Sequence, residues 1–286
     1  MLQLNSHPWN WEETVRWLRE QPDQVSLVRD SYYDDPLEAA AHRYWQSSEW
    51  RAVAERLPKL ETGRALDFGA GRGIASFALA KSGYRVVALE ADSSALVGTS
   101  AIRSLASVTG LPIEVEESSS ERLPCRDAEF DLVFGRAVMH HIRDIDGLCR
   151  EFHRVLKPGG MLVVIREHVL SKEDDLKAFQ SLHPLHKYYG GEHAFVLGRY
   201  TAAIRQAGFE IKEIINPLRS VINLYPHSLD VVALEVARRA GLGVPLLRRA
   251  VAAVIGIPAV WWLVLRAIEA VDHRPGRLYS FIASRT

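Results

Sequence analysis

The 286-residue chain has little sulfur, with two cysteines, Cys125 and Cys149, and three methionines. The cysteines form neither a CxxC pair nor a Cys/His zinc spacing, which argues against a disulfide framework and a structural zinc. It also lacks a dominant charge: 35 lysines and arginines balance 35 aspartates and glutamates. Without a basic field, no nucleic-acid partner is expected. The opening residues, "MLQLNSHPWNWEETVRW", lack a basic region followed by an apolar one, so no signal peptide is expected and the cytoplasm is the expected compartment. No apolar run is long enough to span a bilayer. Residues 250–265, "AVAAVIGIPAVWWLVL", carry no charge between Arg249 and Arg266, but a spanning helix needs roughly twenty residues. Repeats and low-complexity tracts are absent too.

What the chain does have is a regular alternation. Residues 1–60 read as helical, with Trp11, Val15 and Leu18 at helical spacing. Short apolar runs then predict strands at 64–68, 85–90, 113–116, 130–135, 161–166, 209–216 and 277–284. Helices are predicted at 74–82, 93–107 and 145–156. Strands of this kind separated by helices predict an α/β protein: a Rossmann-like, seven-stranded, mostly parallel sheet covered on both faces. The expected organisation is an N-terminal helical lid (1–60), a core (61–218) with a histidine-rich insertion (167–197), a helical apolar cap (219–276) and a final core strand (277–286).

The first strand runs into "ALDFGAGRG", residues 65–73, with glycines at 69, 71 and 73. Glycines at a strand–helix turn permit positive φ and let a ligand approach the backbone, where helix N-terminal amides can bind its polar groups. A dinucleotide fingerprint would need glycine where Ile74 stands, and no Gly-Lys-Ser/Thr phosphate loop follows. Glu90 ends the second strand nineteen residues after Gly71, where a carboxylate can accept both hydroxyls of a ribose.

Together, "LDFGAGRG", Glu90, "LPCRDAEFDLVFGRAVMHHI" and "RVLKPGGMLVVI" resemble the class I S-adenosylmethionine-dependent methyltransferases of the small-molecule type, over roughly residues 60–216. The last strand is similar to that family's antiparallel final strand. The resemblance implies S-adenosylmethionine as cofactor. Asp67 and the turn residues Gly69, Ala70, Gly71 and Gly73 would frame its methionine part and ribose. Glu90 would hold the ribose hydroxyls, Ala91 would lie against the adenine, and Gly135 and Arg136 would line the sulfonium pocket. Many members place an aspartate where this chain has Ser119, so the adenine contact would fall to Ser119, Ser118 or backbone.

Methyl transfer needs an in-line nucleophile, a closed site and sometimes a base. Candidate bases are His140 and His141 after the fourth strand, Glu167 and His168 after the fifth, and His183, His186 and His193 in the insertion. The stretch "HPLHKYYGGEH", with Tyr188, Tyr189 and Gly190-Gly191, reads as a substrate-facing loop carrying His186, Tyr189 and His193. His183 and His186 with Glu167 or His168 could instead ligate a metal, but loop spacing does not establish that and no metal is expected. The acceptor is expected to be an oxygen on a small molecule, glycan or lipid-linked glycan. The rival expectation is a non-catalytic S-adenosylmethionine-binding scaffold. Residues 250–265 cannot cross a membrane once, because the last strand must rejoin the sheet. They are expected to form a buried cap, a subunit interface or a peripheral membrane contact, and the oligomeric state is left open.

Overall fold

A computed structural model of the chain describes residues 9–119, 122–182, 185, 188, 189, 192–239, 254 and 257–286. The apolar runs form β1 (Gly63–Phe68), β2 (Tyr84–Glu90), β3 (Ile113–Glu117), β4 (Phe130–Arg136), β5 (Leu156–Leu170), β6 (Phe195–Val196), β7 (Phe209–Ile215) and β8 (Arg277–Arg285). Their order in the sheet is β3-β2-β1-β4-β5-β8-β7, with β6 paired to the end of β5. β8 runs antiparallel to β5 and β7, and the other pairings are parallel. This is the expected seven-stranded Rossmann-like sheet, with β6 a two-residue addition.

Alternation along the strands divides the core between the two faces. Leu66, Val133, Leu162, Val164 and Phe281 pack with α7 (Ile145–Val155) and α9 (Leu197–Gln206). Their neighbours Ala65, Leu132, Phe134, Val163 and Ile282 pack on the opposite face. There they meet α3 (Leu37–Trp45), α4 (Ser48–Ala54) and α5 (Ile74–Lys81) through Tyr44, Trp50, Val53, Ala78 and Leu79. Two further N-terminal helices, α1 (Trp11–Arg19) and α2 (Val25–Asp30), form a separate cluster in which Leu18 and Val28 pack with Leu185 of the insertion. Asn10 and Glu13 close a capping box that starts α1 where the chain enters this cluster.

Two boundaries differ from the sequence pattern for local reasons. The helix expected from residue 93 starts later, as α6 (Thr99–Thr109). In the intervening turn Asp92 accepts from the amide of Ser94 and Ser94 accepts from Val97, side-chain bonds that compete with helix. The fifth strand is longer than 161–166, because it continues past an irregularity between Val164 and Glu167. Pro258 marks the start of a helix. It occupies the first turn of α12 (Pro258–Val271), where a missing N–H costs nothing. Among the described residues, the remaining α-helices of the core and cap are α8 (Leu176–Leu182), α10 (Val221–Leu224) and α11 (Leu229–Arg239).

Candidate active site

The parallel strands deliver the glycine loop, Glu90, residues 136–141 and the β5–β6 insertion to one end of the sheet, where their C-termini lie. Gly69, Gly71 and Gly73 all have positive φ, at +66°, +55° and +83°. They differ in what surrounds them. A side chain at Gly69 would strike Val138 at 2.2 Å and one at Gly73 would press on Ile102 at 3.1 Å, whereas one at Gly71 would meet nothing within 4 Å. The first and third glycines therefore serve packing, and Gly71 flanks open space. Ala70 is buried, and its amide, like that of Gly69, donates to the carbonyl of Leu89.

Glu90 closes this cradle. Its Oε2 accepts from the amide of Gly71 at 2.7 Å, and its Oε1 accepts from Ala91 at 2.8 Å and Asp92 at 3.0 Å. Burial pushes the carboxyl upward, opposed by these amides. A carboxylate has about four acceptor positions, so hydroxyls arriving here must share with or displace backbone donors. Asp67 lies behind the loop, buried, accepting from Ser76 Oγ at 2.5 Å, and burial raises it to about 7. Ala91 and Ser119 are exposed on the rim, and Ser118 donates its amide to the carbonyl of Glu90.

Gly135 is buried against Val138. The next side chain, Arg136, turns to the N-terminal helices, where it forms a bidentate pair with buried Glu49 of α4 at 2.8 and 3.2 Å. It also stacks within 5.6 Å of the ring centres of Tyr32 and Tyr44. Arg72, inside the glycine motif, does the same from the other strand. Buried, it donates to the carbonyls of Tyr32 and Asp34 at 3.0 Å and to Asp35 at 2.6 Å, and Asp35 is also held by Arg19 of α1.

The histidines fall into two environments. His140 is buried, with Nδ1 2.7 Å from Glu167, whose carboxylate also accepts from the amides of Val138 and His140. Burial raises Glu167 to about 7 against those amides. His141 is 21% exposed at its side chain, and its Nδ1 stands 3.9 Å from buried Glu192, which burial also raises to about 7. Tyr189 and Trp11 pack on His141 with ring centres 5.4 and 5.9 Å away. His193 donates its amide to the carbonyl of His140 at 2.7 Å, while its Nε2 accepts from Arg143 at 3.2 Å. Burial and that guanidinium lower its pKa. His168 lies against Phe179, and its Nδ1 meets the carbonyl of Gly276. His183, His186, Gly190 and Gly191 lie outside the described residues.

The structure thus gathers His140, His141, Tyr189 and His193 beside the glycine loop, linked to it through Val138. Glu192, Glu49, Arg72 and Trp11 were missed by the sequence reading. Glu192 stands between the Gly190-Gly191 pair and His193, where attention went to the imidazoles. Arg72 stands between two motif glycines, and its tertiary partners are distant in sequence.

A Rossmann-like sheet with this topology, a glycine cradle and a carboxylate at the end of β2 form a frame suited to a nucleoside cofactor. The sequence profile of a methyltransferase domain matches residues 66–164. A ubiquinone biosynthesis O-methyltransferase of Pseudomonas aeruginosa is 27% identical over 205 residues, covering 64% of this chain and 86% of that protein. A ubiquinone/menaquinone biosynthesis C-methyltransferase of Brucella anthropi is 27% identical over 221 residues, covering 67% and 82%. Among solved structures, the cyclase SpnF superposes with a TM-score of 0.55 at 22% identity, covering 87% of this chain and 82% of that one. Residues 66–164 carry a methyltransferase domain, and the chain is an S-adenosylmethionine-dependent methyltransferase similar to enzymes that act on small molecules.

Proposed function

We propose that the chain methylates an oxygen of a small-molecule acceptor bound between the glycine cradle, the histidine cluster and the aromatic residues of α1. The observation that carries this reading is the pairing of His141 with buried Glu192 under Tyr189 and Trp11. A weakly acidic hydroxyl needs help to lose its proton, and this pair is polar, partly open and walled by aromatic rings.

The cradle fits the cofactor, because the one loop glycine beside open space is also the one whose amide meets Glu90. Glu90 would take the ribose hydroxyls, with Gly69, Ala70, Gly71 and Gly73 shaping the adjoining wall and Asp67 behind it. Bound there, S-adenosylmethionine supplies an electrophilic methyl on a sulfonium. Gly135 lets Val138 approach the loop closely, and Arg136 fastens the helices that exclude water. His140, held by Glu167, positions its neighbour.

In the test, His141→Ala, Tyr189→Phe and His193→Ala are assayed against hydroxylated acceptors, with S-adenosylmethionine affinity measured alongside. Methyl transfer should fall about tenfold or more while affinity changes by less than about twofold. Full turnover in all three variants would make the cluster structural. Cofactor binding without product across a broad acceptor panel would favour the scaffold reading.

Exposed apolar side chains on α12 and at its N-cap favour a lipid-borne acceptor within this class. Ile257, Trp262, Leu263 and Val271 are all about half exposed or more. No helix among the described residues is long and apolar enough to cross a membrane, so such contact would be peripheral.

A further inference from the structure

We infer that His140, His141 and Glu192 hold a divalent first-row transition-metal ion, such as Zn²⁺ or Mn²⁺, beside the acceptor. The inference rests on the oxygen-acceptor reading and specifies how the His141–Glu192 pair acts, through an ion rather than by proton pickup on an imidazole.

Donor atoms of the three residues lie within 4.8 Å of one another. Two donors roughly 2.1 Å from a shared ion stand about 3.4 Å apart in tetrahedral geometry. The 3.9 Å between His141 Nδ1 and Glu192 Oε2 is therefore about half an ångström from closure, within reach of small side-chain rotations. The supporting shell is in place as well. Glu167 engages His140 Nδ1 at 2.7 Å and so directs ligation to Nε2, the carboxylate–histidine arrangement that orients a metal-bound imidazole. The carboxylate arrives on a different segment from the histidines, and the bond from the His193 amide to the His140 carbonyl pins the two segments together.

The donor set decides the metal. Two imidazoles and one carboxylate suit Zn²⁺, Mn²⁺, Fe²⁺ or Co²⁺, whereas Mg²⁺ and Ca²⁺ prefer all-oxygen shells. Three protein ligands leave a position open, the pattern of a working site rather than a structural one. An acceptor hydroxyl taken there would have its proton affinity lowered, with the proton released to solvent.

The test uses tag-free full-length protein stripped with a chelator, then titrated with Zn²⁺ and Mn²⁺ by calorimetry and with Co²⁺ by visible absorption, without cofactor or acceptor. One equivalent should bind, with visible bands from ligated Co²⁺. His141→Ala and Glu192→Gln should each weaken binding at least about tenfold, and Glu167→Gln by about 10–100-fold through orientation alone. His227→Ala, at an exposed histidine remote from the cluster in sequence, should change nothing. Cooperative thermal unfolding checks each variant, and His141→Gln, at a partly exposed position, substitutes for any that fails to fold. Absence of saturable binding below the millimolar range, or binding unchanged in both ligand variants, overturns the site. S-adenosylmethionine binding is measured separately, so its loss with metal binding intact would fall on the methyl-transfer reading and leave the ion site standing.

Discussion

Asp67 shows how one buried carboxylate reports on the site around it. Its folded value of about 7 lies above the ordinary 3.8, chiefly because burial penalises the charge. Between those values the folded state binds more protons than the unfolded state, so this group's contribution to stability falls as pH rises and is fully lost above about 7. Asp67→Asn removes the penalty. Relative to the parent, the variant should gain stability from pH 5 to pH 8 by up to about 3 kcal/mol, measured by denaturant unfolding without cofactor. A pH-independent difference would show that Asp67 ionises normally. Glu90 and Gly71 make a second pair of tests. Glu90→Ala should weaken S-adenosylmethionine binding by about 2 kcal/mol or more, as for hydrogen bonds to charged groups. Gly71→Val fills the open space beside it and forces a branched side chain to positive φ, so binding should fall further with the sheet intact. Calorimetry showing unchanged affinity in both would remove the cofactor assignment from this loop.

At the scale of elements, what the sequence revealed depended on range. Strands β1, β2 and β4 follow from continuous apolar runs, and the glycine turn from residues whose conformational demands are local. The bulge in β5 does not, because Arg166 adopts φ +61° through tertiary contacts. Its amide donates to Ser280 and its guanidinium to the carbonyls of Ile222 and Tyr225. Beyond that irregularity Glu167 reaches His140, so the positioning of the histidine depends on a kink that no periodicity announces. The contacts of the segment after α2 were equally hidden. Arg72 reaches it through the carbonyls of Tyr32 and Asp34 and through Asp35, which also pairs with Arg19 of α1. Asp35 is half exposed and its pair is screened, so the two carbonyl bonds matter more. Arg72→Met should release the helices locally. Hydrogen exchange within residues 11–35 should rise while β1, β4 and β5 stay protected, and uniform acceleration everywhere would make Arg72 a global fold determinant instead.

For the whole molecule, the mostly parallel sheet was legible because short apolar runs separated by helices constrain the fold class, whereas its strand order and surface function were not. The apolar stretch 250–265 has enough hydrophobicity for a buried cap, and the described part of it is divided. Leu265 is buried, but Trp262 is 48% and Leu263 61% exposed, with Arg266 stacked on Trp262 at 5.0 Å. An outward tryptophan and leucine flanked by arginine match a helix lying in a headgroup layer better than one facing water. Inserting two such side chains is worth about 3 kcal/mol or more, roughly a hundredfold in partitioning. The double variant Trp262→Glu and Leu263→Glu should therefore keep its cooperative unfolding transition, because neither side chain is buried. Co-sedimentation with anionic vesicles should fall by about that factor, and activity toward a water-soluble acceptor should persist. If the parent shows no vesicle binding but dimerises in light scattering, and the variant is monomeric, the face is a subunit contact. If neither property changes, α12 has no role in membrane contact or assembly, and the lipid-borne acceptor loses its support.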